Sequence, residues 1–319
     1  MYFNLKPKQT ARIKGSTIAA LDIGTSKICC FIARITDTGG IHVTGIGHHE
    51  SRGLKSGKFI DMEAAEIAIG QAIQSAEDMA GETISSVVVN LPNVHTLSHQ
   101  IHSETHVSGG EVTDNDIRRA LTKARDVEIS GQNELIHAIP VQYTVEKNKG
   151  VRDPKGMHGK HMTAQIHAIT GASNAVKNFR LSVSNNHLEV EAFCVDAYAA
   201  ALSCLVEDER DLGCTVIDMG AGTTSIAVFM EGTCVYTDAI PVGGGHVTHD
   251  IARGLTTPIN HAERIKTLYG NAIQSTRDNS DMIEVPQIGE DENAGGHFVP
   301  RSILTSIIQP RLEETFEMI

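Results

Sequence analysis

The sequence predicts an α/β protein of two related lobes, each opening on the same aspartate–glycine hairpin, with a further αβ module inserted in the first. Three observations carry this. Thr215–Phe229 reads as a hydrophobic run, a glycine turn that begins at an aspartate, and a second hydrophobic run. The β-branched and aromatic content suits buried strands, and the glycines permit the tight geometry of a phosphate-cradling turn. The same pattern stands earlier, at Thr17–Ala33, where Asp22-Ile-Gly24-Thr25-Ser26 lines up with Asp218-Met-Gly220 and the run Thr223-Thr224-Ser225. Between the two copies, from about Val94 to Gly171, the texture changes to strands of alternating polarity around one helix. A repeated unit of this kind points to two lobes facing one cleft.

In chain order, residues 1–15 read as a flexible tail: basic residues are present, but the continuous apolar stretch of a secretion signal is not. The first hairpin leads to a third strand, Ile41–Gly47, and a loop at 51–60. Asp61 then caps a helix over Met62–Ala80, with Ala65, Ile69, Ala72, Ile73, Ala76 and Met79 at helical spacing and Gly81 as its stop. Ser85–Leu91 completes a strand meander, helix and strand of ribonuclease-H-like order, whose ligands belong at the strand carboxyl ends.

The inserted module holds a helix capped by Thr113 (Asp114–Ala124) and is expected to leave one sheet face to solvent. Its His95, His99, His102 and His106 invite a zinc reading. On an extended segment, however, they lie far apart, with neither cysteine nor a paired acid nearby, so solvated histidines are the favoured reading.

The first lobe resumes with a helix at 174–184, a strand Leu188–Cys194 and a small-residue helix from Asp196. A charged linker, 207–213, leads to the second hairpin. The strand Cys234–Val242 runs into Gly243-Gly244-Gly245, which opens a helix and predicts free N–H groups aimed at an anion. Thr257 is expected to cap a helix with Pro258 at its first position and Gly270 at its end. On it, Glu263 and Lys266 share a face, either as a surface ion pair or as a nucleoside contact.

Composition bounds the rest. The 319 residues are 40% hydrophobic and 21% charged, ordinary for a globular chain. A net charge of −12 argues against a nucleic-acid surface, and no apolar run is long enough to span a membrane. Six cysteines without metal-ligand spacing predict buried free thiols.

These residues resemble those of a known superfamily. The paired hairpins Asp22–Lys27 and Asp218–Thr224, with the Ala-Glu-Arg-Ile-Lys266 helix, are similar to the phosphate and adenosine elements of the actin and heat-shock-chaperone ATPases. Within that superfamily the chain resembles the bacterial cell-division family FtsA. The discriminating residues are Arg52-Gly-Leu-Lys-Ser-Gly57, His137-Ala-Ile-Pro-Val-Gln-Tyr143, and Gly150-Val-Arg-Asp-Pro-Lys-Gly-Met157 with Gly159.

The resemblance implies an actin-like fold binding ATP with Mg²⁺. Asp22 and Asp218 would hold the metal through water. Gly24, Thr25, Ser26 and Lys27 would bind one side of the phosphates, and Gly220, Ala221, Gly222, Thr223 and Thr224 the other. Gly243, Gly244 and Gly245 would border the phosphates or ribose, Glu263 and Lys266 would hold the nucleoside, and Asp196 would orient water for at most slow hydrolysis.

As partners it implies the C-terminal tail of FtsZ on about residues 246–309, further divisome proteins, and self-association into filaments through the insert. It places the protein in the cytoplasm, peripherally on the inner membrane face at the division septum. The membrane contact there is a C-terminal amphipathic helix, which this chain, stopping at Ile319 within an apparent helix that begins at Arg311, is expected to lack along with strands that complete the second lobe. The domain expectation is a first lobe of 16–97 and 172–209, an insert of 98–171, a second lobe of 210–245 and 310–319, and a subdomain of 246–309. A sugar or acetate kinase, and a pilus-assembly or shape-determining actin homologue, are the alternatives.

Overall fold

The computed structural model describes residues 15–126, 132–289 and 297–319. Its contacts divide them into two units: one up to Asp218 together with Ser225–Ala239, the other Met219–Thr224 together with Ile240–Ile319.

In the first unit, β1 (Thr17–Ile23), β2 (Lys27–Ile35) and β3 (Ile41–Glu50) form an antiparallel meander. A two-strand hairpin follows, β4 (Leu54–Lys55) and β5 (Lys58–Phe59). Its tip residues Ser56 and Gly57 both have positive φ, the geometry of a two-residue hairpin turn. Helix α1 (Met62–Ala80) has the sequence-predicted bounds: Asp61 accepts the Ala64 N–H at 3.1 Å, and Gly81 takes the left-handed conformation. It buries the alanine and isoleucine stripe Ala65, Ala68, Ile69, Ala72, Ile73 and Ala76 against the sheet.

Strand β6 (Ser86–Leu91) runs parallel to β1, and β11 (Glu189–Val195) runs parallel to β6, giving the sheet order β11-β6-β1-β2-β3. This is the ribonuclease-H-like order. It brings the carboxyl ends of β1, β6 and β11 to one edge.

The insert folds as β7 (Thr96–His106), α2 (Asp114–Asp126), β8 (Asn133–Val145), β9 (Asn148–Val151) and β10 (His161–Ala172), in sheet order β7-β10-β8-β9. One face buries Val145, Met162, Ala164 and Ile166 with Leu121 of α2. The expectation that the other face is solvated needs correction. Ile139 and Ile169 from that sheet enter a second core with Val195, Tyr198, Ala227 and Phe229, and His167 is fully buried. A strand of alternating pattern can bury its second face when a neighbouring element covers it, and here the start of α4 (Asp196–Cys204) and part of β13 (Thr224–Met230) do so.

Helix α3 (Ser173–Ser184) precedes β11. After α4, the segment read as a linker forms a short helix, α5 (Glu207–Leu212). Strands β12 (Cys214–Met219), β13 and β14 (Thr233–Ile240) pair in chain order. All six cysteines are free, but the expectation that they are buried holds fully only for Cys30 and Cys234, since Cys204 is exposed.

The second unit packs α6 (Gly244–Gly254), α7 (Ile259–Tyr269) and α8 (Arg301–Met318) with a hairpin of β15 (Met282–Val285) and β16 (His297–Pro300). Its core is Ile251, Ile265, Ile283, Val285, Leu304 and Ile308. Two sequence readings change here. Pro258, not Thr257, occupies the cap of α7, and the Thr257 hydroxyl donates to Pro286 O at 2.6 Å. Helix α8 begins ten residues before the predicted Arg311 and carries Pro310 inside it. Proline removes one helical hydrogen bond, but Leu304, Thr305 and Ile308 on the preceding turns are buried, so packing sustains the helix across the break. Arg311 fastens α8 to α6 through Asp250 at 2.5 Å.

Candidate functional site

Three aspartates of the first unit come from strand ends. Asp22 is the penultimate residue of β1, Asp196 follows β11 as the first residue of α4, and Asp218 is the penultimate residue of β12. Asn90, penultimate in β6, knits two of these together. Its Oδ1 accepts the Ile23 N–H at 2.7 Å, and its Nδ2 donates to Asp196 Oδ1 at 3.1 Å. Sequence reading missed Asn90. The available signal was an amide in the otherwise apolar end of Ser86–Leu91, at the carboxyl edge where ligands bind.

All three carboxyls are raised above the ordinary aspartate range. Burial pushes Asp196 up to about 7, against the opposing hydrogen bond from Asn90, and the charges of Asp22 and Asp218 push it further the same way. Asp22 is raised by burial and then by Asp218, with Lys27 pulling it down. Asp218 is raised by burial.

A stability consequence follows. The folded chain keeps a proton on Asp196 up to about pH 7, whereas a free aspartate loses it near 3.8. Between those values the folded state binds more protons than the unfolded one, so stability falls as pH rises through that window. Asp196→Asn removes this loss. Urea midpoints are expected to show the variant more stable than the parent at pH 8, with the gap closing at pH 5. An equal gap at both pH values would remove Asp196 from this account.

Among the described residues no three His, Cys, Asp or Glu side chains are placed to ligate a metal directly. The aspartates therefore do not fit a dedicated protein cage. They do fit Mg²⁺ held through its waters, the usual habit of that ion, and a cation would offset the burial that raises all three carboxyls and the repulsion that adds to it at Asp22 and Asp196.

The first glycine turn closes with Gly24 N–H on Lys27 O at 3.1 Å. The second closes in the same way, Gly220 N–H on Thr223 O at 2.9 Å. The two turns thus match residue for residue at a constant offset. Thr25 and Ser26 correspond to Ala221 and Gly222, which corrects the alignment of their hydroxyls with Thr223–Ser225. Around the first turn, the Thr25 hydroxyl accepts the Gly57 N–H at 3.1 Å, and Gly57 O meets His95 Nε2 at 2.7 Å. The family-discriminating loop ending in Gly57 therefore braces Thr25. Of the histidine quartet, His99, His102 and His106 are exposed on β7 and only His95 is drawn into this brace.

In the second unit the glycine triplet does something other than expected. Gly244 N–H donates to Gly220 O at 2.9 Å, Gly245 N–H to Ala221 O at 2.7 Å, and Gly243 N–H to His246 Nδ1 at 3.1 Å. Those donors are not free for an anion. They hold the turn, and a Cβ on Gly243 would stand 2.4 Å from Gly220 O, so the close approach requires glycine. The Thr224 hydroxyl likewise donates to Val242 O at 2.8 Å and is not free for phosphate.

Lys266 donates to Gly244 O (3.1 Å), Thr248 Oγ1 (2.8 Å) and Glu263 Oε2 (2.7 Å), tying α7 to the start of α6. Glu263 is pushed up by burial, but hydrogen bonds from Lys266 and Thr248 outweigh this and hold it below the usual range. Thr248, one turn into α6, is a member of this network that the sequence reading did not single out.

The fold is that of an actin-like α/β protein. It is similar to a solved structure, the PilM-PilN type IV pilus biogenesis complex, with TM-score 0.63 at 16% identity, over 96% of this chain and 75% of that one. Family models match two stretches: Cell division protein FtsA over residues 215–296, and the SHS2 domain inserted in FtsA over 94–170. The chain is 39% identical over 325 residues to Cell division protein FtsA of Rhizobium meliloti (strain 1021), across 99% of this chain and 73% of that protein. It is 37% identical over 305 residues to the protein of the same name from Pseudomonas aeruginosa, across 96% and 72%. The chain belongs to the FtsA family of cell-division proteins. Membership sets aside the kinase and pilus-assembly alternatives and makes the 94–170 insert a family hallmark. Among the described residues no helix is long and apolar enough to cross a membrane.

Proposed function

We propose that this chain binds ATP with Mg²⁺ and serves as an adaptor of the division machinery, linking FtsZ to the cytoplasmic membrane at the septum and recruiting later divisome proteins. The observation that carries the nucleotide part is the set of three raised carboxylates, Asp22, Asp196 and Asp218, each beside a strand end. A phosphate chain repels such a cluster unless a cation lies between, and Mg²⁺ supplies that charge neutralisation.

The residues then divide the work. Asp22 and Asp218 hold the hydrated metal. The Gly24, Thr25, Ser26 and Lys27 turn offers phosphate contacts: backbone N–H groups of the turn, the Thr25 hydroxyl oriented by Gly57, and the Lys27 ammonium. The turn of Gly220, Ala221, Gly222 and Thr223 offers backbone contacts, kept in shape by Gly243–Gly245. Lys266 and Glu263 would hold the nucleoside, and Asp196 would orient water, with a carboxyl poised to take a proton near neutral pH. A single weak base without a positioned acceptor implies slow turnover.

FtsZ would engage the 246–309 segment through its C-terminal tail, and self-association would use the insert. Fluorescence anisotropy of a labelled FtsZ tail peptide titrated with this chain tests the adaptor reading. Saturable binding is expected, with phosphate transfer to small-molecule acceptors absent. No tail binding, or transfer at the tens per second typical of kinases, would contradict it.

A further inference from the structure

Helix α4 begins with Asp196 but has no cap of its own: Val195 stands at the cap position and its side chain accepts nothing. The opening N–H groups of a helix lack internal partners and must find them elsewhere. They find them on two other elements. The Val195 N–H donates to His137 Nε2 at 3.2 Å, and the Ala197 N–H donates to Asn93 Oδ1 at 3.1 Å. The Asp196 carboxyl between them accepts from Asn90 at 3.1 Å. Asn90 and Asn93 belong to the first lobe, at and just beyond β6. His137 does not: it lies on β8, a long strand of the insert, in the His-Ala-Ile-Pro stretch that marks the family.

The imidazole is well fixed for this task. Its ring lies edge-on to Tyr198, one turn further along α4, with centroids 5.2 Å apart. Tyr198 in turn stacks on Phe229. Accepting at Nε2 leaves the proton on Nδ1, the neutral ring. Burial, and then the neighbouring His167, hold His137 down at about 4, so the acceptor persists across the physiological range.

We propose that His137 is a positioning residue through which the inserted subdomain sets the stance of Asp196. It does not touch nucleotide; it fixes the Cys194–Val195 peptide, one residue ahead of the aspartate, so that a shift of β8 is felt at the carboxyl. The inference rests on the nucleotide reading of Asp22, Asp196 and Asp218.

The test compares the parent with His137→Phe, His137→Gln, Asp196→Asn and the His137→Phe/Asp196→Asn double variant. Mg-ATP affinity is measured by calorimetry, ATP hydrolysis under single turnover, and amide exchange over Val195–Ala197. Gln places an acceptor where Nε2 stands; Phe keeps the ring and removes it. Losing one such hydrogen bond, about 1 kcal/mol, converts to roughly a fivefold fall in turnover. That fall is expected for His137→Phe with affinity within about twofold of the parent, together with faster exchange at Val195–Ala197, both restored by Gln. The double variant is expected to be no slower than Asp196→Asn alone, the non-additivity of groups acting through one another.

Unchanged turnover in His137→Phe, losses that add to those of Asp196→Asn, or no rescue by Gln would overturn the proposal while leaving the nucleotide site standing. A parent chain that binds no Mg-ATP would overturn the site reading and the proposal with it. A parent that binds Mg-ATP without hydrolysing it would overturn a role in positioning Asp196 for chemistry.

Discussion

Gly47→Ala is expected to cost the first unit about 3 kcal/mol, the upper end of what overpacking a core does. The reason is geometric. A Cβ on Gly47 would stand 1.9 Å from the Ala72 carbonyl oxygen and 2.6 Å from the Ala76 N–H nitrogen, backbone atoms of α1 that no side-chain rotation can move. Gly45 on the same strand is in the same position, 2.2 Å from Ala76 O. Strand and helix approach this closely because both interfaces are stripped of bulk: glycine on β3, alanine on α1. The helix must lift to admit a methyl, which opens the core around Ile69, Ala72 and Ile73. Against the 5–15 kcal/mol that holds a typical domain together, such a loss is a large fraction. The urea midpoint should fall accordingly with an unchanged m-value, and a shift below about 0.5 kcal/mol would mean that α1 is not seated on β3 as described.

The aspartates are expected to behave in the opposite way. Asp22 is raised above the ordinary carboxylate range by burial and by the charge of Asp218, so removing either carboxylate relieves repulsion in the nucleotide-free chain. Asp22→Ala and Asp218→Ala should therefore fold at least as stably as the parent at pH 8 while losing Mg-ATP. Groups that orient a metal through an outer shell typically account for about 10–100-fold in affinity, and that is the loss expected from each. A gain or no change in stability coupled to a loss in binding is the signature of a functional site, and a structural ion pair would give the reverse.

Much of this was legible from local signals. The bounds of α1 follow from an aspartate whose side chain reaches the third N–H and from a glycine able to turn left-handed, both readable along a few residues. The hairpins were legible because a glycine turn flanked by β-branched runs has one economical geometry, and their repetition linked them. What escaped reading depends on residues far apart in the chain. Asn90 matters because β6 lies between β1 and β11, and His137 because β8 of the insert passes the start of α4. Neither neighbour is visible in the local pattern. The start of α8 at Arg301 is hidden because Pro310 interrupts the local helical pattern, whereas the buried face of α8 carries the helix through it. The glycine triplet is legible as a strand-to-helix junction, but not the use of its N–H groups, which go to Gly220 O, Ala221 O and His246 Nδ1 and leave none for a ligand.

The central claim is that Asp22 and Asp218 carry a Mg²⁺-nucleotide site. Isothermal titration of Mg-ATP into the parent chain, Asp22→Ala and Asp218→Ala, repeated with excess chelator in place of Mg²⁺, tests it most directly. The account predicts binding by the parent that needs Mg²⁺ and falls by about 10–100-fold in each variant. Affinity unchanged in both variants, or indifferent to Mg²⁺, would contradict it.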